Sequence, residues 1–238
     1  MHGRLDIDVG DYDREQKLIN ISQQSFKDLR SLELLGGEPL YNPKSYEIMR
    51  RAIEESDNQC TINITSNGTI FPDLDRYPWF RNNPMIVITF SVDAVGPAAE
   101  FIRTGTNWSR VKNNISRYQD IGVGVGYHVT HSVLNLFELD ALETWRKQQN
   151  LPQCKIFTIV SNEPKLTFAV LTEEEKQRVC SYLTNRHGQF LIPYIEASEH
   201  DPKHRKDFFE FMAHTRHYHE LDWKECLPNL WHLLTDAD

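Results

Sequence analysis

Short strand-like runs alternate with helical patterns along most of this 238-residue chain, and this alternation restricts the fold more than any other feature. The runs are rich in β-branched and aromatic residues and occupy residues 31–35, 61–65, 85–92, 123–133 and 155–160. They begin roughly 24 to 38 residues apart, the spacing of successive strand–helix–strand units. The chain is therefore predicted to be an α/β protein with a parallel sheet, either an open doubly wound sheet or part of a barrel.

Four helices are predicted between or after these runs from apolar stripes and capping residues. Asn42 caps the first helix, and Gly122 ends the second. The third is predicted to begin near Asn135. The fourth begins at Thr172, where Glu175 completes a capping box.

Composition along the chain predicts three segments. Residues 1–24 are polar and charged and contain no cysteine and no convincing strand. Residues 25–186 contain the strand and helix alternation that forms the core. Residues 187–238 form a C-terminal helical extension, with helices predicted at 202–217 and 222–235.

Charge and hydropathy exclude two kinds of partner. The net charge is −8, and no basic block forms the footprint that nucleic-acid binding requires. No apolar run approaches the ~18 residues of a membrane span, and the charged N-terminus is unlike a signal peptide. We therefore predict a cytoplasmic protein that binds neither nucleic acid nor membrane.

The residues that most often bind transition metals are not arranged as a metal site. The four cysteines lie far apart in the sequence, at Cys60, Cys154, Cys180 and Cys226. No pair has the spacing of a zinc ribbon or of a locally ligated iron–sulfur cluster. Two histidine pairs have helical spacing that suits zinc, although surface histidines on a polar helix are the commoner explanation: His200 with His204, and His214 with His217. No metal site is predicted.

Residues 34–40 read Leu-Leu-Gly-Gly-Glu-Pro-Leu and end the first strand run abruptly. Gly36 and Gly37 have no side chains, so bare backbone can approach a ligand there. Glu38 adds a negative charge, and carbonyl groups beside a carboxylate suit a small cation such as an ammonium. The alternative interpretation is a tight strand-to-helix turn with an exposed glutamate.

Polar residues also lie at or near the ends of the next three strand runs. Asn67 lies after the second run, Ser91 and Asp93 close the third, and His128 lies in the fourth. Each position alone is compatible with ordinary turn chemistry, but the ends of parallel strands share one rim, where ligands bind. Arg103 follows shortly after and is either a surface arginine or the partner of a ligand carboxylate. An ammonium site and a carboxylate site together suit an amino acid moiety.

The motifs GGEPL, SNGT, ITFSVDAVG and EFIRTGTNWSRVKNNI, in this order, resemble the radical S-adenosylmethionine (SAM) superfamily, and most closely its twitch-type members. The resemblance covers roughly residues 25–235. It implies a partial (β/α) TIM-type barrel with C-terminal helices, and SAM as the cofactor. Peptide modification is common among these relatives, so the unknown substrate is expected to include peptides.

The resemblance assigns the SAM contacts residue by residue. The turn from Gly36 through Gly37 to Glu38 matches the motif that receives the SAM amino group. Ser91, and less closely Asp93, match a position that contacts the SAM ribose or carboxylate region. Arg103 matches an arginine that pairs with the SAM carboxylate, and Asn67 matches an asparagine of the third barrel strand.

The departure from the family lies in the cluster ligands. Family members bind a [4Fe-4S] cluster through C-x3-C-x2-C after the first barrel strand, and this sequence contains no such motif. We therefore expect a chain truncated before the second barrel strand, with the first strand missing and a sheet edge open to a partner chain that completes the barrel. Two functions follow: the larger part of an enzyme that cleaves SAM reductively, or a catalytically inactive module that binds SAM or a protein.

Overall fold

The protein is described by a computed structural model that covers the backbone of residues 3–8 and all of residues 25–153 and 157–235, except the side chains of residues 157 and 218. Its strands are β1 (Gly3–Asp8), β2 (Leu29–Leu35), β3 (Thr61–Ser66), β4 (Ile86–Ser91), β5 (Gly124–His131) and β6 (Phe157–Ile159). The α-helices before the C-terminal segment are α1 (Pro43–Glu55), α2 (Gly96–Ile102), α3 (Trp108–Asp120), α4 (Leu139–Gln148) and α5 (Glu173–Leu183). The C-terminal helices are α6 (Ile192–Glu196), α7 (Pro202–His219), α8 (Trp223–Cys226) and α9 (Pro228–Thr235).

Each strand pairs in parallel with the next strand in the sequence, in the order β1-β2-β3-β4-β5-β6. The five predicted strand runs all contain a strand, although the first residues of the last run, 155 and 156, lie outside the described residues. The predicted α/β fold with a parallel sheet is confirmed.

The prediction that the strand before β2 is missing is wrong. Residues Gly3–Asp8 form β1, whose backbone pairs in parallel with β2, for example Asp6 with Glu33. The sequence signal of this strand is weak because only Leu5 and Ile7 are apolar in a charged stretch. A parallel neighbour supplies backbone hydrogen bonds irrespective of side-chain hydropathy, so β2 gives this segment its conformation. The N-terminal segment, although polar, therefore contributes a strand to the sheet.

Contacts divide the chain into two compact units. Unit 1 comprises Met1–Ser91, Ser109–His128 and Leu151–Cys154, and unit 2 comprises Val92–Trp108, Val129–Asn150 and Lys155–Asp238. The divisions predicted from composition, at residues 24/25 and 186/187, stay predictions.

In unit 1, the strands bury one face and leave the other half-exposed. The buried face consists of alternate aliphatic residues: Leu32, Leu34, Ile62, Ile64, Ile86 and Ile88. Helices α1 and α3 contribute buried stripes of the predicted kind, with Tyr46, Met49 and Ile53 from α1 and Val111, Ile115 and Tyr118 from α3. This period-two burial fixes which side chains of each strand face away from the core.

Unit 2 has its own core, which is built largely by the C-terminal helices. Its buried members include Phe208 and Met212 of α7, Trp223 of α8, and Leu230 and Leu234 of α9. Among the residues described, no helix is both long and apolar enough to cross a bilayer.

Two helix predictions need correction. The helix expected to begin near Asn135 begins at Leu139, because the Asn135 side chain closes a 3-10 turn with Ser132 instead. The helix expected over 222–235 is divided into α8 and α9 at Pro228, which cannot donate a backbone hydrogen bond and therefore starts a new helix. The other predicted caps are confirmed: Asn42 accepts from the Lys44 N–H, and Thr172 and Glu175 form their capping box.

Candidate functional site

The Gly-Gly-Glu turn at the end of β2 has a backbone that only glycine adopts readily. Gly36 and Gly37 have φ values of 76° and 51°, in the left-handed region. Glu38 then caps the 3-10 turn Pro39–Tyr41, and its carboxylate accepts a hydrogen bond from the Leu40 N–H at 3.2 Å. The sequence therefore folds into a sharp turn that leaves backbone at Gly37 exposed beside a carboxylate.

The Glu38 carboxylate joins the end of β2 to the end of β3. The Asn67 N–H donates to it at 2.8 Å, and the Ser66 hydroxyl lies 3.0 Å from both carboxylate oxygens. Ser66 has a single hydroxyl hydrogen, so with the Leu40 N–H three donors serve the carboxylate. An ionised carboxylate offers about four acceptor sites, which leaves room for one further donor.

Burial raises the pKa of Glu38 above its ordinary value of 4.5, while hydrogen bonds from Asn67, Leu40 and Ser66 oppose that rise. Because the pKa of Glu38 rises overall, the neutral donors do not fully replace the hydration that the charged carboxylate loses on burial. A cation placed beside Glu38 would supply the missing stabilisation and lower this pKa.

Asn67 and Gly68 form a tight turn that holds this arrangement. The Asn67 side-chain oxygen accepts from the Thr69 N–H at 2.9 Å and from the Thr69 hydroxyl at 2.6 Å. Gly68 has a φ of 77°, and a Cβ there would lie 2.9 Å from Val111 Cγ1. Within the described part of the chain, Asn67 thus contributes its backbone N–H to Glu38 and its side-chain oxygen to the turn.

Asp93 and Arg103 form a second cluster, in unit 2. Arg103 Nε lies 2.8 Å from Asp93 Oδ2, at an angle that makes the contact an ion pair without hydrogen-bond geometry. The other oxygen, Asp93 Oδ1, accepts from the Thr130 N–H at 2.8 Å. The Asp93 side chain is 7% exposed and that of Arg103 is 31% exposed. Asp93 therefore holds one edge of a guanidinium that still reaches solvent.

Asn135 supports this second cluster and was missed as a site residue by the sequence analysis. It is fully buried, and its side-chain amide donates to the backbone carbonyls of Asp93, at 3.1 Å, and Thr130, at 3.0 Å. The sequence signal that could have revealed it is an asparagine within an otherwise apolar stretch after a strand. Ser66, which binds Glu38 directly, was likewise seen only as part of the SNGT turn.

The structure thus groups the predicted residues into two sets. In unit 1, the Gly36–Gly37–Glu38 turn and Asn67 are joined by hydrogen bonds, and Ser91 ends β4 in register with His128. In unit 2, Asp93 and Arg103 are joined by an ion pair. His128 and His131 differ in burial, as residues of opposite strand faces do, with His131 the buried one.

The cysteines that the structure describes do not fit a [4Fe-4S] cluster. Cys60 is fully buried, and burial raises its pKa to about 11, whereas a cluster ligand must be a thiolate. Cys180 and Cys226 lie in unit 2, and burial raises the pKa of each thiol. Among the described residues, no group of three or more cysteine, histidine or acidic side chains could hold a metal ion. Cys154 lies outside those residues.

Comparison with known proteins gives a consistent family and fold. A model of the radical SAM superfamily matches residues 11–147. Among solved structures, anSMEcpe with bound AdoMet and the Cp18Cys peptide has a TM-score of 0.52 and 13% identity, over 76% of this chain and 58% of that chain. SuiB of Streptococcus suis, bound to its precursor peptide SuiA, has a TM-score of 0.50 and 15% identity, over 80% of this chain and 46% of that chain. No curated protein sequence matches the chain.

These likenesses confirm the predicted fold class, a partial TIM-type barrel. The chain spans about half the length of the two solved proteins, 58% of one and 46% of the other.

Proposed function

Because the chain belongs to the radical SAM superfamily, whose model matches more than half of it, we propose that it is the SAM-binding part of a radical SAM protein. The twitch-type assignment rests on the sequence resemblance alone. The cytoplasmic location and the exclusion of nucleic acid likewise stay predictions.

The observation that carries the proposal is the Glu38 carboxylate. It is half-buried, it is ionisable, and its three neutral donors leave one acceptor site for a further donor. An ammonium group suits that position because it brings both a hydrogen and a positive charge. We assign the SAM amino group to this site, next to the bare backbone of Gly36 and Gly37.

The resemblance assigns the SAM carboxylate to Arg103. Its contact with Asp93 uses Nε, so both terminal nitrogens of the guanidinium are available for the paired hydrogen bonds that a carboxylate accepts. Asp93 then acts through Arg103 as a positioning residue. Ser91 remains a proposed contact of the SAM ribose or carboxylate region, and Asn67 remains a proposed SAM-site residue by the resemblance alone.

Reductive cleavage of SAM requires a [4Fe-4S] cluster in this family, and the residues of this chain do not fit one. We propose that the enzyme activity exists only where another segment or a partner chain supplies the cluster ligands. The alternative function is a catalytically inactive module that binds SAM or a protein, and the wide separation of the cysteines in the sequence favours it. The two solved relatives were crystallised with peptides, and we propose a peptide as the substrate class.

Calorimetric titration tests the SAM assignment. We compare SAM with 5′-methylthioadenosine, which keeps the nucleoside and sulfur but has no amino or carboxylate group. Wild-type protein should bind both ligands. Glu38→Gln should weaken SAM binding by about 10- to 100-fold, the value of a hydrogen bond to a charged group, and leave methylthioadenosine binding unchanged.

The methylthioadenosine titration is also the folding control, because a misfolded variant would lose both ligands. The proposal is overturned if wild-type protein gives no heat with SAM, or if Glu38→Gln binds SAM as tightly as wild type does.

A further inference from the structure

Asn135 is a buried side chain of unit 2 that uses its whole amide group. It ends the 3-10 turn Val133–Asn135, which follows β5, and it is fully buried. Its Nδ2 donates to the Asp93 carbonyl at 3.1 Å and to the Thr130 carbonyl at 3.0 Å, and its Oδ1 accepts from the Ser132 N–H at 3.0 Å. An amide nitrogen carries two hydrogens, so both donors of Asn135 join the segment after β4 to β5.

The Asp93 carboxylate joins the same two segments a second time. Asp93 Oδ1 accepts from the Thr130 N–H at 2.8 Å, while the Thr130 carbonyl accepts from Asn135. The parallel ladder between β4 and β5 ends at Ser91 and His128, two residues before Asp93 and Thr130. The side chains of Asp93 and Asn135 therefore continue, beyond the end of the ladder, the link that strand pairing makes before it.

This double link sets the direction of Asp93 toward Arg103. A carboxylate is planar, so the bond from the Thr130 N–H to Oδ1 also fixes Oδ2, which lies 2.8 Å from Arg103 Nε. Asn135 is fully buried and the Asp93 side chain nearly so, whereas the Arg103 side chain is 31% exposed. Of these three side chains, Arg103 is the one that a ligand reaches directly.

We propose that Asn135 is a positioning residue for the SAM carboxylate. By holding the Asp93 and Thr130 backbones at a fixed separation, it keeps the Asp93 carboxylate aimed at Arg103 Nε, so that both terminal nitrogens of Arg103 face a ligand carboxylate. The inference rests on the proposed function, because it takes the ligand carboxylate at Arg103 to be that of SAM. A merely structural role of Asn135 differs in its consequence, since loss of the turn would then affect every ligand equally.

Calorimetric titration of the full chain tests this inference. Asn135→Ser removes both amide donors without introducing a charge. SAM binding should weaken by about 3- to 10-fold, a part of the roughly 10- to 100-fold that a hydrogen bond to a charged group contributes. Methylthioadenosine has no carboxylate and should bind this variant as it binds wild type. If Asn135→Ser loses methylthioadenosine binding through misfolding, Asn135→Gln, which keeps an amide in place, should show a smaller loss for SAM alone.

A double-mutant cycle with Arg103→Gln separates positioning from structure. Arg103→Gln alone should weaken SAM binding by about 10- to 100-fold. Because Asn135 acts through Arg103, adding Asn135→Ser to that variant should weaken SAM binding by less than about twofold more. Asn83→Ser is the matched control: Asn83 donates to the Trp79 carbonyl at 3.1 Å and accepts from the Met85 N–H at 3.0 Å, in a turn before β4. SAM should bind this control as it binds wild type.

Three outcomes overturn the inference and leave the proposed function intact: unchanged SAM binding by a folded Asn135 variant, an equal loss of SAM and methylthioadenosine affinity, or a further loss of about threefold or more when Asn135→Ser is added to Arg103→Gln. The proposed function fails by other results. Wild-type protein that does not bind SAM removes both proposals. Glu38→Gln that binds SAM as wild type does removes the ammonium site and leaves the carboxylate site of Arg103 and Asn135.

Discussion

At the scale of the residue, Glu38 is a carboxylate whose surroundings only partly compensate its charge. Burial raises its pKa, and the donors Leu40, Ser66 and Asn67 lower it by less. The folded protein therefore holds the Glu38 proton more tightly than the unfolded chain does. Without ligand, the contribution of Glu38 to stability falls as the pH rises from 4.5 through the raised pKa.

The same titration predicts a pH dependence of SAM binding. Only ionised Glu38 attracts the SAM ammonium, so SAM affinity should rise as the pH increases from 4.5 through the raised pKa of Glu38. Calorimetric dissociation constants across this range check the prediction. Glu38→Gln should lack the rise, and methylthioadenosine should bind wild type equally at every pH. A parallel rise for methylthioadenosine would attribute the effect to another group.

At the scale of the element, helices α5 and α7 of unit 2 are joined by a buried ion pair. Glu175 is 2% exposed, and its two oxygens accept from Arg205 Nη1 at 2.8 Å and from Nη2 at 2.9 Å. The same carboxylate accepts from the Thr172 N–H at 2.7 Å, and Arg205 also donates to the Val170 carbonyl. The capping box predicted from sequence is therefore also an inter-helix contact, which the sequence pattern did not indicate.

Glu175→Gln should destabilise the protein by about 2–4 kcal/mol, because it leaves a half-buried guanidinium without its counter-charge. Glu174→Gln, on the exposed side of the same helix, should change stability by less than about 0.5 kcal/mol. Urea unfolding of the three proteins measures both values. Equal effects of the two variants would show that the buried pair contributes no more than a surface carboxylate does.

At the scale of the whole molecule, the chain combines the fold of a radical SAM protein, and the turns that we propose bind SAM, with described cysteines that do not fit the family's cluster. Cys60, Cys180 and Cys226 are divided between two units and have raised pKa values. Anaerobic reconstitution with iron and sulfide should therefore yield no [4Fe-4S] signal in Mössbauer or electron paramagnetic resonance spectra, while SAM binding persists. A stoichiometric cluster would contradict this account and would favour the enzyme over the cluster-free module.

The sequence by itself determined the class of fold and the position of the main turn. Short strand runs with helical patterns between them predict a parallel sheet, because that arrangement buries the apolar faces of both. The two glycines of Gly36-Gly37-Glu38 indicate a sharp turn in the sequence, and both adopt a positive φ. The family followed from motif order, and the absence of clustered cysteines is a property of the sequence itself.

Only the tertiary structure decided what these residues contact. β1 exists because β2 offers it a backbone partner, and Asn135 closes a turn because the Asp93 and Thr130 carbonyls lie within its reach. Two of the three partners of Glu38, Ser66 and Asn67, come from a part of the chain that is distant in sequence, and so does the Asn63 amide that binds Glu33. Local propensity contains no information about such long-range pairs, because their energies depend on which strands become neighbours and on how much water their packing excludes.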